Sequence, residues 1–297
     1  MRILLLGAGG RLGRALAKTL KTKGTVFGFD HQTLDIADPA AVEKAIVSVR
    51  PDCLVNAAAW TDVTGAEASP AVAYAVNADA VGMLAYAARR FDVPLLHYST
   101  DYVFSGEGTT PWTEADVPAP IGVYGASKAE GEALFFKSGA RGAVVRAGWL
   151  HSGERDFTTA VLARAESSTL QTMVNDQYGT PTETAALASW SAAALAILFS
   201  HSSVRIVHYK EAGPYVSRFD YAKAMLASAV SLAERQGDEE RAARYRDAST
   251  SLRAVSLADG IRPKNCRLAT RFAADFPPVN AWIQGVDNSV EKWKSRF

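Results

Sequence analysis

The sequence lacks an excess of charge of either sign. Its 297 residues hold 32 lysines and arginines against 31 aspartates and glutamates, and the two signs are interspersed, so the net charge is only +1. Such a surface offers no extended positive field to a nucleic-acid backbone or an anionic membrane. We therefore expect neither nucleic acid nor a membrane as a partner.

Cysteine, long hydrophobic runs and metal-ligand spacings are also scarce. The only two cysteines, Cys53 and Cys266, are far apart, and we expect both to be reduced and close to the core. No apolar run reaches about 18 residues, and the first apolar stretch ends at Gly7 in place of a signal peptide. The five histidines show no His-x-x-x-His or Glu-x-x-His spacing, so we expect no metal. These features predict a soluble, cytoplasmic protein.

The amino terminus predicts a strand, a tight turn and a helix. The apolar run at residues 3–6 leads into three glycines, Gly7, Gly10 and Gly13. Glycines let a backbone approach a pyrophosphate, and the amino end of a helix offers free N–H groups to it. A second predicted strand at 25–29 ends at Asp30, about the 20-residue distance at which an acid meets the adenosine ribose. The pattern indicates a dinucleotide site. Asp30, without a neighbouring arginine, slightly favours NADH over NADPH.

A third apolar segment ends in small residues, and a fourth ends in hydroxyls. The third closes with Asn56, Ala57, Ala58 and Ala59. Small residues let a backbone lie against a dinucleotide, and Asn56 can satisfy buried backbone groups. The fourth strand, at 95–99, closes with Ser99 and then Thr100, at the edge of an open parallel sheet where ligands bind.

Tyr124 and Lys128 are four residues apart, a spacing that places both on one face of a helix. An ammonium near a phenol lowers the pKa of the phenol from its ordinary value of about 10. The pair therefore indicates a general acid or base. The order of glycine turn, Asn-Ala-Ala, Ser-Thr and Tyr-x-x-x-Lys resembles that of the extended short-chain dehydrogenases/reductases.

Four segments carry a closer resemblance, which extends over most of the chain. Residues 97–104, 123–128, 175–182 and 262–268 are similar to those of the dTDP-4-dehydrorhamnose reductase family. This resemblance implies an α/β fold with a doubly wound parallel Rossmann sheet. We expect a dinucleotide-binding domain at 1–150. We expect a smaller, mainly substrate-binding lobe at 151–297, with some of its segments returning to the Rossmann domain.

The resemblance also implies the chemistry. NADPH or NADH would reduce the 4-keto group of a nucleotide-linked 6-deoxy sugar, which in the family is dTDP-4-dehydrorhamnose. Tyr124 would protonate the oxygen, Lys128 would lower the pKa of Tyr124 and bind the nicotinamide ribose, and Thr100 would donate to the developing oxyanion. The expected cofactor-binding residues are Gly7, Gly10, Arg11, Leu12, Gly13, Asp30, Asp35, Ile36, Asn56, Ala57, Ala58, Ala59, Ser99, Tyr124 and Lys128. The expected substrate-binding residues are Asp101, Tyr102 and Trp149.

Some positions depart from the family pattern. Gly65 stands where relatives often have lysine, Gly148 where they often have serine, and His151 where a tyrosine is usual, so the sugar and the nucleotide are left open. Ala15 occupies the position of a glutamate found in metal-linked dimers of the family. We therefore expect a monomer or a homodimer without structural magnesium.

Two other functions fit the same motifs. A sugar-nucleotide epimerase or dehydratase would share fold and cofactor, although Asp101-Tyr102 replaces the Asp-Glu pair of relatives that dehydrate. A regulatory subunit resembling the β subunit of methionine adenosyltransferase would keep the dinucleotide site while serving a partner enzyme.

Three segments carry structural expectations of their own. The apolar periodicity at 71–90 predicts one helix on the sheet. The long loop at 105–122 is of the kind that often covers a site. The charged stretch at 233–251 predicts a solvated extension of the helix before it.

Overall fold

The computed structural model describes residues 1–294, so the last three residues of the expected second lobe, 295–297, lie outside the described part of the chain. In chain order the strands are β1 (Arg2–Leu6), β2 (Thr25–Phe29), β3 (Cys53–Asn56), β4 (Leu95–Thr100), β5 (Gly142–Ala147), β6 (Leu150–His151), β7 (Thr172–Val174), β8 (Tyr178–Gly179), β9 (Thr182–Glu183), β10 (Val204–His208), β11 (Val216–Ser217) and β12 (Arg253–Val255).

The helices alternate with these strands through the first half of the chain and dominate the second half. They are α1 (Arg11–Thr19), α2 (Pro39–Val49), α3 (Val63–Ala68), α4 (Pro70–Tyr74), α5 (Ala80–Arg90), α6 (Val123–Ser138), α7 (Phe157–Glu166), α8 (Thr184–Leu198), α9 (Arg218–Arg235), α10 (Glu239–Ser251) and α11 (Trp282–Lys294).

Six parallel strands form the central sheet in the order β2-β1-β3-β4-β5-β10. Strand β1 is buried on both faces: Ile3 and Leu5 enter one hydrophobic layer, whereas Leu4 and Leu6 enter the opposite one. Side chains alternate across a strand, so a strand covered by helices on both sides must be apolar throughout. This confirms the doubly wound α/β prediction. The strand order reverses between β1 and β3, which is where such sheets bind ligands.

The single helix expected at 71–90 is interrupted. It is divided by a π-helical turn, Ala75–Asp79, between α4 and α5. Inside this turn the buried Asn77 side chain accepts from the Trp60 N–H and donates to the Trp60 carbonyl. Such π-bulges interrupt the regular i→i−4 hydrogen bonds of the helix, and apolar periodicity alone does not predict where they occur. The stretch Pro70–Arg90 has the length and hydropathy of a membrane span, but it packs against α6 and 44% of that window is buried.

The expectation of one extended, solvated helix through 233–251 is wrong. Helix α9 ends at Arg235, Gly237 takes a left-handed φ of 71°, and the Asp238 side chain caps the start of α10. One face of α10 is buried against α7 and α9 through Ala242 and Tyr245. The small alanines on that face allow close helix packing beneath the charged residues that dominate its composition.

The second half of the chain is divided between two bodies of structure. Helices α7, α9, α10 and α11 surround their own hydrophobic cluster, centred on Tyr221, Met225 and Val286. Helix α8 instead packs on α1, and β10 pairs with β5 at the edge of the large sheet. The division at residue 150 remains a prediction, but α8 and β10 are segments of the second half that return to the sheet.

The loop at 105–122 is tied to the segment that contains Asn265. The Asn265 amide donates to the carbonyls of Glu107 and Thr110, and the Trp112 indole N–H donates to the Asn265 carbonyl. Trp112 also stacks on Phe104 with ring centroids 4.8 Å apart. These contacts hold the loop against Phe104, which lies just after β4, and against the segment that contains Asn265.

Candidate active site

The glycine turn after β1 is shaped by close backbone approach. Gly7 has a φ of 76°, and a Cβ there would lie 2.5 Å from the Ala58 nitrogen, so the turn lies directly against the chain that leaves β3. A Cβ on Gly13 would overlap the Gly7 carbonyl. Gly10 is the N-cap residue of α1, and no side chain caps this end of the helix. The first-turn N–H groups and the helix dipole therefore suit a pyrophosphate, so these residues fit a dinucleotide.

Two cavities meet at this turn, and both are lined by Gly10 and the three alanines 57–59. The larger, of about 750 Å³, also contains Arg11, Leu12, Ser99, Tyr124 and Lys128 in its wall. The smaller, of about 380 Å³, also contains Gly7, Asp30, Leu34, Asp35 and Ile36. The structure thus brings most of the expected cofactor residues into one elongated cleft. Gly13 and Asn56 lie behind its wall.

Asp30 lies at the end of β2 as expected. Its Oδ1 accepts from the N–H groups of Gln32 and Thr33 and from the Thr33 hydroxyl. The hydrogen bond from that hydroxyl is the main reason that the pKa of Asp30 lies below its ordinary value. The carboxylate therefore stays ionised at the end of the cleft where a ribose hydroxyl would need an acceptor.

A buried polar chain runs behind the cleft from β3 to α6. The Ala58 N–H donates to Asn56 Oδ1 at 3.1 Å, and Asn56 Nδ2 lies 3.2 Å from His97 Nδ1. His97 Nε2 lies 3.2 Å from Lys128 Nζ, which also donates to the Tyr98 carbonyl at 2.7 Å. Asn56, His97 and Lys128 are at most 1% exposed. Burial lowers the pKa of Lys128 to about 8, and that of His97 well below its usual range.

The expectation that Lys128 lowers the pKa of Tyr124 is wrong for this structure. Tyr124 and Lys128 do share the face of α6 that lines the cavity. Burial, however, raises the pKa of Tyr124 to about 12, against smaller lowering effects from the Thr100 hydroxyl and Arg11. Lys128 is directed to the carbonyl of Tyr98 and to His97. The phenol is consequently protonated throughout the neutral range.

Thr100 lies beside Tyr124, at the carboxyl end of β4. Its hydroxyl donates to Asp101 Oδ1 at 3.0 Å and accepts from the Tyr102 N–H at 3.1 Å. Donation to an oxyanion would therefore require the Thr100 hydroxyl to rotate away from Asp101. Asp101 is 1% exposed, and burial raises its pKa to about 6.

None of the expected substrate residues Asp101, Tyr102 and Trp149 lines the larger cavity. Tyr102 and Trp149 belong to the hydrophobic cluster of the second half of the chain, and Asp101 is buried. Tyr102 makes an edge-to-face contact with Tyr124, at 5.8 Å between ring centroids. Trp149 has a left-handed φ of 49°, and its ring lies under the guanidinium of Arg218 at 3.6 Å.

The three departures from the family pattern have separate surroundings. A Cβ on Gly148 would lie 2.7 Å from Asp101 Oδ2, a buried oxygen without a hydrogen-bond partner in the described chain. A Cβ on Gly65 would lie 2.5 Å from Asp62, the side chain that caps α3. His151 is buried away from the cavity, 2.9 Å from the Ser289 hydroxyl, and burial lowers its pKa to about 4. Its contacts favour a structural role.

Some residues of the site were missed from the sequence. Arg155, in the left-handed region at φ 48°, lines the larger cavity, and Arg14 reaches Glu154 at 2.7 Å across it. Arg218 donates from Nε to Gln177 while it covers Trp149. These residues come from distant parts of the chain, so no local motif marks them. The only sequence feature that pointed towards Arg218 was its partner Gln177, which lies inside the resembling segment 175–182.

Metal ligation has no structural support within residues 1–294. The described chain contains no group of three or more His, Cys, Asp or Glu side chains arranged to hold an ion. Cys53 and Cys266 are free thiols in the interior.

Comparisons with known proteins agree on one group. The family model described as RmlD substrate binding domain matches residues 1–294. The chain is 34% identical to a dTDP-4-dehydrorhamnose reductase of Escherichia coli K12, over 98% of each chain. It is 38% identical to one of Mycobacterium tuberculosis H37Rv, over 75% of this chain and 74% of that one. The crystal structure of a dTDP-4-dehydrorhamnose reductase from Bacillus anthracis in complex with NADP superposes with a TM-score of 0.82, at 26% identity, over 100% of this chain and 99% of that one.

Proposed function

The chain belongs to the dTDP-4-dehydrorhamnose reductase family, and we propose that it reduces the 4-keto group of dTDP-4-dehydrorhamnose to give dTDP-rhamnose. The observation that carries this proposal is the shared cleft. The glycine turn, the alanines after β3 and the Tyr124–Lys128 face of α6 all line its larger cavity, so a dinucleotide site and a proton donor adjoin one another.

The residues around the turn would hold NADPH or NADH. Uncapped N–H groups at the start of α1 would receive the pyrophosphate, and Asp35 and Ile36 would flank the adenine in the smaller cavity. Ser99, whose buried hydroxyl has no hydrogen-bond partner in the described chain, would be available at the nicotinamide end. The bound cofactor supplies the hydride.

Tyr124 would donate the proton that completes reduction of the ketone. The raised pKa of its phenol keeps that proton in place at neutral pH, as a general acid requires. Thr100, next to it, would stabilise the negative charge that develops on the ketone oxygen. Lys128 would contact the nicotinamide ribose from the same wall of the cavity.

Trp149, Asp101 and Tyr102 would form the substrate side of the site. Arg218, stacked on Trp149, adds a positive charge there, and a nucleotide diphosphate sugar carries negative charge that this guanidinium could bind. We also propose a cytoplasmic monomer or homodimer that works without a metal.

A substrate panel separates this function from its rivals. The protein is mixed with NADPH or NADH and keto sugars linked to dTDP, GDP or CDP, and nicotinamide absorbance is followed. We expect oxidation of the cofactor with dTDP-4-dehydrorhamnose. No oxidation with any keto sugar, together with stoichiometric co-purification with a synthetase from native extract, would support a regulatory subunit instead.

Tyr124→Phe tests the acid within the same assay. The substitution removes one hydroxyl and little volume, so turnover should fall by roughly 10²–10⁴-fold while dinucleotide binding persists. Tyr86→Phe, at an exposed position on α5, is the matched control and should turn over at the parent rate. Parent-like turnover by Tyr124→Phe would remove it from the mechanism.

A further inference from the structure

The polar chain from Asn56 to Lys128 determines where the imidazole proton of His97 lies. Asn56 cannot turn its side-chain amide over, because Oδ1 already accepts the Ala58 N–H and an NH₂ group there would place two donors together. Its NH₂ group therefore points to His97 Nδ1, at 3.2 Å. A nitrogen that faces a donor must accept, so Nδ1 carries no hydrogen.

The same reasoning fixes the other ring nitrogen. His97 is fully buried, and burial keeps it neutral, so it holds a single N–H. With Nδ1 as the acceptor, that N–H is on Nε2, 3.2 Å from Lys128 Nζ. A neutral amine has a lone pair that can accept a hydrogen bond from this N–H. An ammonium has only N–H donors, so it would place two donors face to face.

We propose that His97 is a positioning residue of the reductase, held by Asn56 in the Nε2–H form so that it disfavours the ammonium form of Lys128 and adds to the effect of burial on the pH at which this lysine changes charge. Lys128 keeps one donor direction toward the Tyr98 carbonyl and lines the cavity beside Tyr124. The catalytic significance of this control rests on the proposed function, but the hydrogen-bond arrangement does not.

Other charged groups around Lys128 are accounted for. Glu132, one turn further along α6, favours the ammonium, but its carboxylate is held in a buried ion pair with Arg146 at 2.5 Å. The remaining charged or titratable neighbours in the wall of the cavity are Arg11, Arg14, Tyr98, Tyr124, Glu154 and Arg155. Three of these are cations, so the wall adds no net negative charge that would offset the effect of His97.

The tautomer can be read directly, without substrate. The full-length protein is labelled with ¹⁵N-histidine, and two-bond ¹H–¹⁵N spectra are recorded at pH 7 and at pH 9, on either side of the pKa of about 8 of Lys128. His97 resonances are identified by their loss in His97→Gln or, if that variant does not fold, by elimination using variants of the other four histidines. We expect a neutral ring with Nε2 protonated. A neutral ring with Nδ1 protonated, or a doubly protonated ring, would overturn the proposal.

Asn56→Asp reverses the arrangement with almost no change in shape. Its second oxygen can only accept, so His97 should move its hydrogen to Nδ1 and present Nε2 as an acceptor to the Lys128 ammonium. The limb of the kcat/KM pH profile that belongs to Lys128 should then move to higher pH by about one unit or more. The imidazole spectrum should show the reversed tautomer.

Asn77→Asp is the matched control. Asn77 is equally buried and contacts Ser127, the neighbour of Lys128 on α6, but its hydrogen bonds go to Trp60 and Ser127 and not to His97. Asn77→Asp adds the same charge without changing the tautomer of His97. The limb of the pH profile that belongs to Lys128 should therefore move less in Asn77→Asp than in Asn56→Asp. If the limb moved equally in both variants and the tautomer of His97 were unchanged in Asn56→Asp, the added negative charge alone would explain the movement. That result would overturn the proposal. If neither variant folds, the spectrum of the parent protein decides alone. A confirmed tautomer in a protein that reduces no keto sugar would show that the proposed function had failed and the hydrogen-bond arrangement had not.

Discussion

The carbonyl oxygen of Gly7 lies against the α-carbon of Gly13, so closely that a single added methyl group would overlap it. By contrast, a Cβ on Gly10 would lie 3.3 Å from the same oxygen. The two glycines therefore have different tasks: Gly13 allows α1 to pack on the turn, whereas Gly10 keeps the cleft clear.

This difference predicts opposite outcomes for two substitutions. Gly13→Ala should destabilise the protein by about 1–3 kcal/mol, as overpacking does, and should lower the melting temperature. Gly10→Val should melt close to the parent but bind NADPH much more weakly, because its side chain occupies the cleft. Thermal denaturation and calorimetric titration measure the two effects. Unchanged NADPH affinity in folded Gly10→Val would make the turn purely structural.

Thr100 offers a test of oxyanion stabilisation. Thr100→Val removes the hydroxyl beside Tyr124 and should reduce kcat by roughly 100-fold, about 3 kcal/mol, as expected for one oxyanion donor. The same hydroxyl accepts from the Tyr102 N–H, so stability should fall by about 1 kcal/mol. Thr100→Ser keeps the hydroxyl and should retain most of the activity. If the valine variant turned over as fast as the serine variant, the donor role would be lost.

Arg218 is predicted to bind the nucleotide sugar through its charge. Arg218→Ala should raise the KM for the sugar substrate by about 10-fold or more, the effect of losing a hydrogen bond to a charged group, and leave the KM for NADPH unchanged. Arg235→Ala removes an exposed cation from the same helix and serves as the control. Steady-state kinetics with each substrate varied in turn measures the effect. Equal rises in both KM values would indicate general disturbance of the lobe.

Glu211 should make stability depend on pH. It is fully buried, its Oε1 accepts from the Glu183 N–H at 2.7 Å, and burial raises its pKa from 4.5 to about 8. Between those pH values the folded protein holds a proton that the unfolded chain has released, so stability falls as pH rises through this window. Each pKa unit corresponds to about 1.4 kcal/mol.

Glu211→Gln keeps the acceptor and removes the titration. We expect the variant to match the parent near pH 5 and to exceed its free energy of unfolding by a margin that grows towards pH 8. Chemical denaturation across that range measures the difference. The exposed Glu130→Gln should show no such trend. A parallel pH dependence in parent and Glu211→Gln would mean that Glu211 is already ionised when buried.

The sequence by itself determined where the first three strands of the parallel sheet end. Local patterns were sufficient here, because the run of apolar residues before Gly7 and the one before Asn56 each depend on neighbours in the chain. The strand at Thr25–Phe29 was predictable for the same reason.

Only the tertiary structure decided the protonation of the site. The four-residue spacing of Tyr124 and Lys128 correctly predicted one helix face, but their pKa values depend on burial and on partners from other strands, such as His97 on β4. The break at Ala75–Asp79 likewise follows from contacts of Asn77 with Trp60, and Arg218 meets Trp149 across 69 positions of the chain. Such contacts leave no local periodicity, because they are fixed by how the elements pack and not by the residues beside them.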